Sequence, residues 1–141
     1  MMLEKVFINC DGGSRKNPGS AAIGVIIWDE HHNILEKYKE CIGVASNNVA
    51  EYNALIKALE LAARHTRKEV QVFTDSELVV RQMTGRYRIK AQHLLPLFQK
   101  VKQLELCFTK VTYNVVTRNN KYQIQADALV NEALDGKYNG D

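Results

Sequence analysis

The sequence predicts an α/β fold: a mixed five-stranded sheet flanked by helices, in the order βββαβα and then a further helix, strand and helix. Three observations carry this. Strand-like runs occupy residues 6–10, 21–28 and 33–44 in succession, joined by short turns. A helical period replaces them at residues 47–65, where Leu55, Ile56, Leu59, Ala62 and Ala63 form one apolar stripe. After it, short strand-like runs at 70–74 and 109–116 alternate with amphipathic segments.

The first strand, Val6-Phe7-Ile8-Asn9-Cys10, runs directly into Asp11-Gly12-Gly13-Ser14 and on to Asn17-Pro18-Gly19. The paired glycines are expected to open a turn, where positive φ and the close approach of a ligand are tolerated, and Asn17-Pro18-Gly19 to close a hairpin. Asp11 is then held at the mouth of a buried strand beside backbone N–H groups, a setting that suits a metal or a phosphate. A plain turn aspartate is the simpler reading. Residues 21–28 are apolar almost throughout, so both faces of that strand are expected to be covered. His31-His32-Asn33 supplies a solvated turn into the third strand.

Within the helix at 47–65, Glu51 lies four residues before Leu55 and eight before Leu59, on the apolar side. A charge there is costly without a cation or strong donors, although the first turn of a helix also favours an acid through its dipole. The strand at 70–74 passes straight into Asp75-Ser76-Glu77, and Thr74 with Glu77 has capping-box spacing for a helix through Met83. Asp75 thus repeats the Asp11 arrangement, at the strand edge where open α/β sheets bind ligands. Stabilisation of the helix N-terminus is its simpler reading.

Residues 85–92 form a basic loop with Arg86, Tyr87, Arg88 and Lys90, either a solvated charge run or a phosphate contact. Leu94, Leu97, Phe98, Val101 and Leu104 mark the next helix, with Pro96 confined to its first turn. Residues 109–116 are strand-like and rich in β-branched side chains, and a polar loop at 117–125 leads into the last helix. That helix packs through Ala126, Leu129, Val130, Ala133 and Leu134. Asp127 precedes Val130 by three residues and Leu134 by seven, so it is expected to face the core. Residues 136–141 read as a frayed tail.

The 141 residues are expected to form a single domain, 1–141, without repeats or linkers. With 19 basic and 16 acidic side chains the formal charge is +3, a balance that fits nucleic-acid binding without arguing for it. Cys10, Cys41 and Cys107 have no Cys-x-x-Cys spacing and lie in apolar stretches. Buried free thiols in a reducing compartment are therefore expected, rather than disulfides or zinc ligands. No apolar run reaches membrane-spanning length and no signal-peptide pattern opens the chain, so a cytoplasmic protein is expected. Nothing implies an obligate protein partner, and a monomer is the expectation.

If the strands ending in Asp11 and Asp75 are neighbours, Glu51 and Asp127 can join them. Like charges about 4 Å apart repel by roughly 1 kcal/mol in water and ~4 kcal/mol at an effective dielectric of 20, so such a cluster calls for cations. Oxygen ligands without histidine or cysteine select Mg²⁺, with Mn²⁺ as a substitute, over zinc. Two such ions about 3.5–4 Å apart suit the in-line displacement of a phosphodiester.

Four segments together give the chain a resemblance: Asp11-Gly12-Gly13-Ser14 with Asn17-Pro18-Gly19, Ser46-Asn47-Asn48-Val49-Ala50-Glu51-Tyr52, Thr74-Asp75-Ser76-Glu77-Leu78-Val79, and Ala126-Asp127-Ala128-Leu129. In content and order they resemble ribonuclease H type 1, whose members cut the RNA strand of RNA–DNA hybrids. The resemblance implies that Asp11, Glu51, Asp75 and Asp127 are the metal-binding catalytic set of a two-ion endoribonuclease. It also implies that Gly12, Gly13, Ser14, Ser46, Asn47 and Asn48 face the hybrid's minor groove, where amides can read the 2′-hydroxyl. Two positions depart from the family pattern: Thr117, followed by Arg118, stands where many relatives have histidine, and Gln123 where they have asparagine. Arg118 is the candidate phosphate contact in that loop. The long basic insertion of some relatives is absent, and no hybrid-binding domain is expected before the strand at 6–10.

Three rival functions remain: cleavage of double-stranded RNA by the same site, a catalytically silent nucleic-acid-binding module, and a phosphotransferase of similar topology. A silent module has no need of clustered negative charge facing phosphates, and the chain has no glycine-rich phosphate loop with its lysine.

Overall fold

In the computed structural model, which describes residues 2–138, the three leading strand-like runs form an antiparallel meander of β1 (Leu3–Arg15), β2 (Gly19–Trp28) and β3 (Ile34–Ala45). The helix α1 (Asn47–Ala62) carries the chain back to β4 (Thr66–Thr74), which pairs parallel to β1. The short α2 (Glu77–Met83) and α3 (Leu95–Glu105) lead to β5 (Lys110–Val115), parallel to β4, and α4 (Lys121–Tyr138) closes the order. The sheet reads β3-β2-β1-β4-β5, so β1 and β4 are neighbours at its centre.

One face of the sheet presents Val6, Ile8, Cys10, Ile23, Val25, Ile27, Val70 and Val72, packed with Tyr52, Leu55 and Leu59 of α1 and Val101 of α3. On the opposite face Ala22 and Ile26 meet Tyr122, Ala126, Leu129, Val130 and Leu134 of α4. Both faces of β2 are therefore covered, as its continuous apolar run requires. Burying each such aliphatic side chain contributes roughly 1.5–3 kcal/mol.

The strand β1 does not stop at Asp11. Gly12, Gly13, Ser14 and Arg15 continue it, paired with Ile23, Ala22, Ala21 and Ser20. The reversal comes later, at Lys16 (φ 71°) and the cis Asn17–Pro18 bond. Both glycines are thus strand residues, and at Gly12 the reason for glycine is space. A Cβ on Gly12 would lie 2.2 Å from the Ala50 carbonyl oxygen of α1, and one on Gly24 would lie 2.3 Å from that of Ala126 in α4. Two helices lie directly on backbone, on opposite faces of the sheet.

Four further expectations are corrected. The cap of α2 is Ser76, whose hydroxyl accepts from Val79 N, while the Thr74 hydroxyl accepts from Ser76 N. The last helix begins at Lys121 rather than after residue 125, because Asn120 Oδ1 accepts from the N–H groups of Tyr122 and Gln123 and starts it early. It also runs through Gly136, so the expected tail is helical to Tyr138, and residues 139–141 lie outside the described residues. Finally, Cys10 is buried, but Cys41 is exposed and Cys107 half-buried, because β3 is an edge strand and Cys107 lies in the turn after α3.

Candidate active site

Parallel pairing of β1 with β4 ends at Asn9–Phe73, and two residues past that point on each strand stand Asp11 and Asp75. Glu51 reaches the same place from the first turns of α1, held by Gly12 N–H donating to its Oε1 at 3.4 Å. One ligand oxygen from each of Asp11, Glu51 and Asp75 lies within 4.8 Å of the others. They line a cleft of about 760 Å³. Gly12, Gly13, Ser14, Asn47, Asn48, Arg118 and Asp127 line it too, whereas Ser46 is instead the cap of α1, its hydroxyl accepting from Val49 N.

Asp127 departs from its expected place. It is exposed on the cleft rim, because the buried stripe of α4 runs through Ala126 and Val130 and leaves Asp127 at its edge. Its Oδ2 accepts from Asn131 at 3.4 Å. Asn47 is tied to β1: its Oδ1 accepts from Ser14 N at 2.9 Å and Ser14 Oγ at 3.1 Å, and its own N–H donates to Asn17 Oδ1. Asn48 stays exposed between this cleft and a second one of about 520 Å³, which Arg86, Tyr87, Arg88 and Lys90 line. The Arg118 side chain is 95% exposed, with Nε 3.9 Å from Asp75 Oδ2. The Thr117 hydroxyl donates to Asn119.

Two contributors escaped the sequence reading. Asn9 is buried at 1% exposure, and Gln123, read only as a departure from the family pattern, is equally buried. A polar residue inside the apolar run at 6–10 was the available signal for the first.

Crowding governs the site's electrostatics. Burial, then the charges of Asp75 and Asp127, push Asp11 up to about 8. Burial and the charges of Asp11 and Asp75 hold Glu51 well above the carboxylate range. Asp75 is also raised, chiefly by burial, with the Arg118 guanidinium opposing the rise. An all-oxygen donor set that retains protons when no cation is present fits a hard divalent ion.

This crowding has a measurable consequence. The folded state keeps protons that the unfolded chain releases near pH 4, so that stabilisation is complete below that pH and lost as pH rises through about 8. The metal-free protein should melt several degrees lower at pH 8.5 than at pH 5.5, and saturating Mg²⁺ should remove most of the difference. Identical pH dependence with and without the ion would mean that these carboxylates do not bind it.

The family model described as reverse transcriptase-like matches residues 9–133. Ribonuclease H1 of Halobacterium salinarum superposes with a TM-score of 0.88 at 37% identity, over 94% of this chain and 98% of that one. The chain belongs to the ribonuclease H type 1 family. Among ribonuclease H type 1 structures, LC11-RNase H1, solved in complex with an RNA/DNA hybrid, gives a TM-score of 0.86 at 40% identity, covering 94% of this chain and 99% of that one. The bifunctional protein Rv2228c of Mycobacterium tuberculosis is 44% identical over 93% of this chain. Its N-terminal RNase H domain superposes with a TM-score of 0.87 at 42% identity, covering 93% of this chain and 99% of that domain. The chain spans 36% of the full length of that relative. It is a compact ribonuclease H type 1 sequence: only a short segment separates α2 from the single 3₁₀ turn, Gln92–Leu94, before α3.

Proposed function

We propose that this chain is a metal-dependent endoribonuclease that hydrolyses the RNA strand of RNA–DNA hybrids. The observation that carries the reading is the gathering of Asp11, Glu51 and Asp75 within 4.8 Å at the floor of an open cleft. In this reading those three and Asp127 hold two Mg²⁺ ions, with Mn²⁺ as a substitute. Bound there, the ions supply Lewis acidity to the attacking water and the leaving oxygen of the scissile phosphodiester.

The other residues bind and orient. Asn48 and the Ser14–Asn47 pair present amide and hydroxyl groups at the cleft edge, where an RNA 2′-hydroxyl would be read. Arg118 offers an exposed cation to a phosphate. The adjoining cleft with Arg86, Arg88 and Lys90 shares Asn48 with the first, and suits the backbone of the second strand. A single domain acting as a monomer in the cytoplasm completes the reading. No helix among the described residues is long and apolar enough to cross a membrane, and the three cysteines are free.

The test is incubation of the purified protein with labelled hybrid, double-stranded RNA and double-stranded DNA, with Mg²⁺ and with chelator. Cleavage of only the hybrid's RNA strand, abolished by chelator, is the expected result. An intact hybrid with both Mg²⁺ and Mn²⁺ would overturn the reading, and equal cleavage of double-stranded RNA would widen the substrate class. Asn48→Ala should weaken hybrid binding roughly 2- to 10-fold, the worth of one hydrogen bond, while leaving single-stranded DNA binding unchanged. An equal loss on both ligands would remove Asn48 from strand discrimination.

A further inference from the structure

The helix α4 runs alongside β1 in the same direction. Gln123 touches Asn9 and Cys10, Asp127 stands beside Asp11, and Val130 lies over Gly13, where a Cβ would be 4.0 Å from its Cγ1. At the far end Arg15 Nη2 meets Asp135 Oδ1 at 2.6 Å. Two physical spacings make this pairing possible. Four residues of helix rise about 6 Å, and two residues of strand about 6.6 Å. A helix whose residue 123 sits beside residue 9 therefore brings residue 127 beside residue 11.

At the cleft end of this register the directional contacts are polar. The apolar contacts of α4 fall on Ala22, Ile26 and Trp28, with the Ala126 carbonyl seated over Gly24, and such burial is non-directional. Gln123 instead makes two directional bonds at 1% exposure: its Oε1 accepts from Asn9 Nδ2 at 3.1 Å, and its Nε2 donates to the Cys10 carbonyl at 3.0 Å. That carbonyl lies one residue beyond the last β1–β4 pair. Asn9 is fixed in turn, its Oδ1 accepting from Trp28 Nε1 at 2.9 Å and its Nδ2 also donating to Asn120 Oδ1, the cap of α4, at 3.3 Å. Strand, neighbouring strand, helix cap and first helical turn are joined through two buried amides.

We propose that Gln123 is a positioning residue, whose amide, clamped between the Asn9 side chain and the Cys10 carbonyl, sets the register of α4 on β1 and so holds Asp127 opposite Asp11. The proposal rests on the endoribonuclease reading for its catalytic consequence alone. The geometric claim stands apart from it. A slip of one residue along α4 turns Asp127 through about 100°, away from the cleft. Exposed Asp127 has few other contacts to hold it, so the buried amide one turn earlier carries the placement.

The experiment is a double-mutant cycle with a structural readout. Gln123→Met keeps the side chain's length and shape and removes both hydrogen bonds. It should lower kcat about tenfold or more with KM within about twofold, since ångström displacements at a reacting centre cost up to ~100-fold in rate. In an Asp127→Asn background the same change should cost less than about twofold, because Gln123 acts through Asp127. In crystals of the metal-free variant the Asp11–Asp127 carboxylate separation should grow by about 1 Å relative to the parent. An unchanged separation overturns the proposal, as does an unchanged kcat or an equal loss in both backgrounds. If Gln123→Met does not fold, Gln123→Asn, whose amide is one methylene too short to span the same gap, carries the identical comparison. A parent protein that cleaves no hybrid would defeat the functional reading, and the crystallographic separation would then decide the geometric claim by itself.

Discussion

Asp11→Asn is expected to reduce hybrid cleavage by more than about a hundredfold and, in the same protein, to raise the melting temperature of the metal-free form above neutral pH. Both effects follow from one placement. Asp11 is only 7% exposed and stands among Glu51, Asp75 and Asp127, so its ionised form is destabilised by burial and by like charge at once. The asparagine amide has the same shape and no charge, and it can donate to a neighbouring carboxylate. Residues that merely orient a metal ligand are commonly worth 10- to 100-fold in affinity or activity, so loss of a ligand itself should exceed that. The stability gain has a defined pH signature. Below about pH 4 Asp11 is protonated in both the folded and the unfolded parent, and the two proteins should melt alike. At pH 8.5 the parent carries the extra charge and the variant does not. Single-turnover cleavage and melting curves at the two pH values check both halves. Cleavage within tenfold of the parent would remove Asp11 from the metal-binding set.

Gly12→Ala should be strongly destabilising. Its Cβ would lie 2.2 Å from Ala50 O and 2.7 Å from Glu51 N, both backbone atoms of α1, so no side-chain rotation can relieve the clash. The helix itself has to move, against the packing of Tyr52, Leu55 and Leu59. Overpacking a core commonly costs 1–3 kcal/mol, and backbone-on-backbone contact places this case at roughly 3 kcal/mol or more. At about 3 °C per kcal/mol for a chain of this size, the melting temperature should fall by ~9 °C. Gly13→Ala is the control. Its methyl would rest 4.0 Å from Val130 Cγ1, and it should melt within about 2 °C of the parent. Similar melting of Gly12→Ala and Gly13→Ala would show that α1 does not need this close approach.

Periodicity exposed most of this architecture in advance, because burial writes itself into the order of side chains. The apolar run at 21–28 announced a strand covered on both faces, and the stripe through Leu55 and Leu59 announced α1. The carboxylates were visible because an acid at the end of a buried strand is costly enough to demand a reason. What stayed hidden depends on contacts far apart in the chain. Gly12 looked like a turn residue since a glycine required for helix contact and one required for a bend are the same letter. Asp127 looked core-facing because its spacing from Val130 and Leu134 constrains a helix face only to within the width of a stripe. Asn9 and Gln123 are 114 residues apart, and no local pattern could pair them.

The order of the sheet has a kinetic corollary. The meander β1–β3 is drawn from the first 45 residues and closes by local hairpins, whereas β4, β5 and α4 dock only after long connections have been ordered. The carboxylates proposed to bind cations are divided between these parts: Asp11 belongs to the meander, Asp75 follows β4, and Asp127 arrives with the last helix. No partly assembled chain holds the set. A divalent ion therefore has nothing to grip at the folding barrier, and its stabilisation should emerge almost wholly as slower unfolding, leaving the rate of folding where it was.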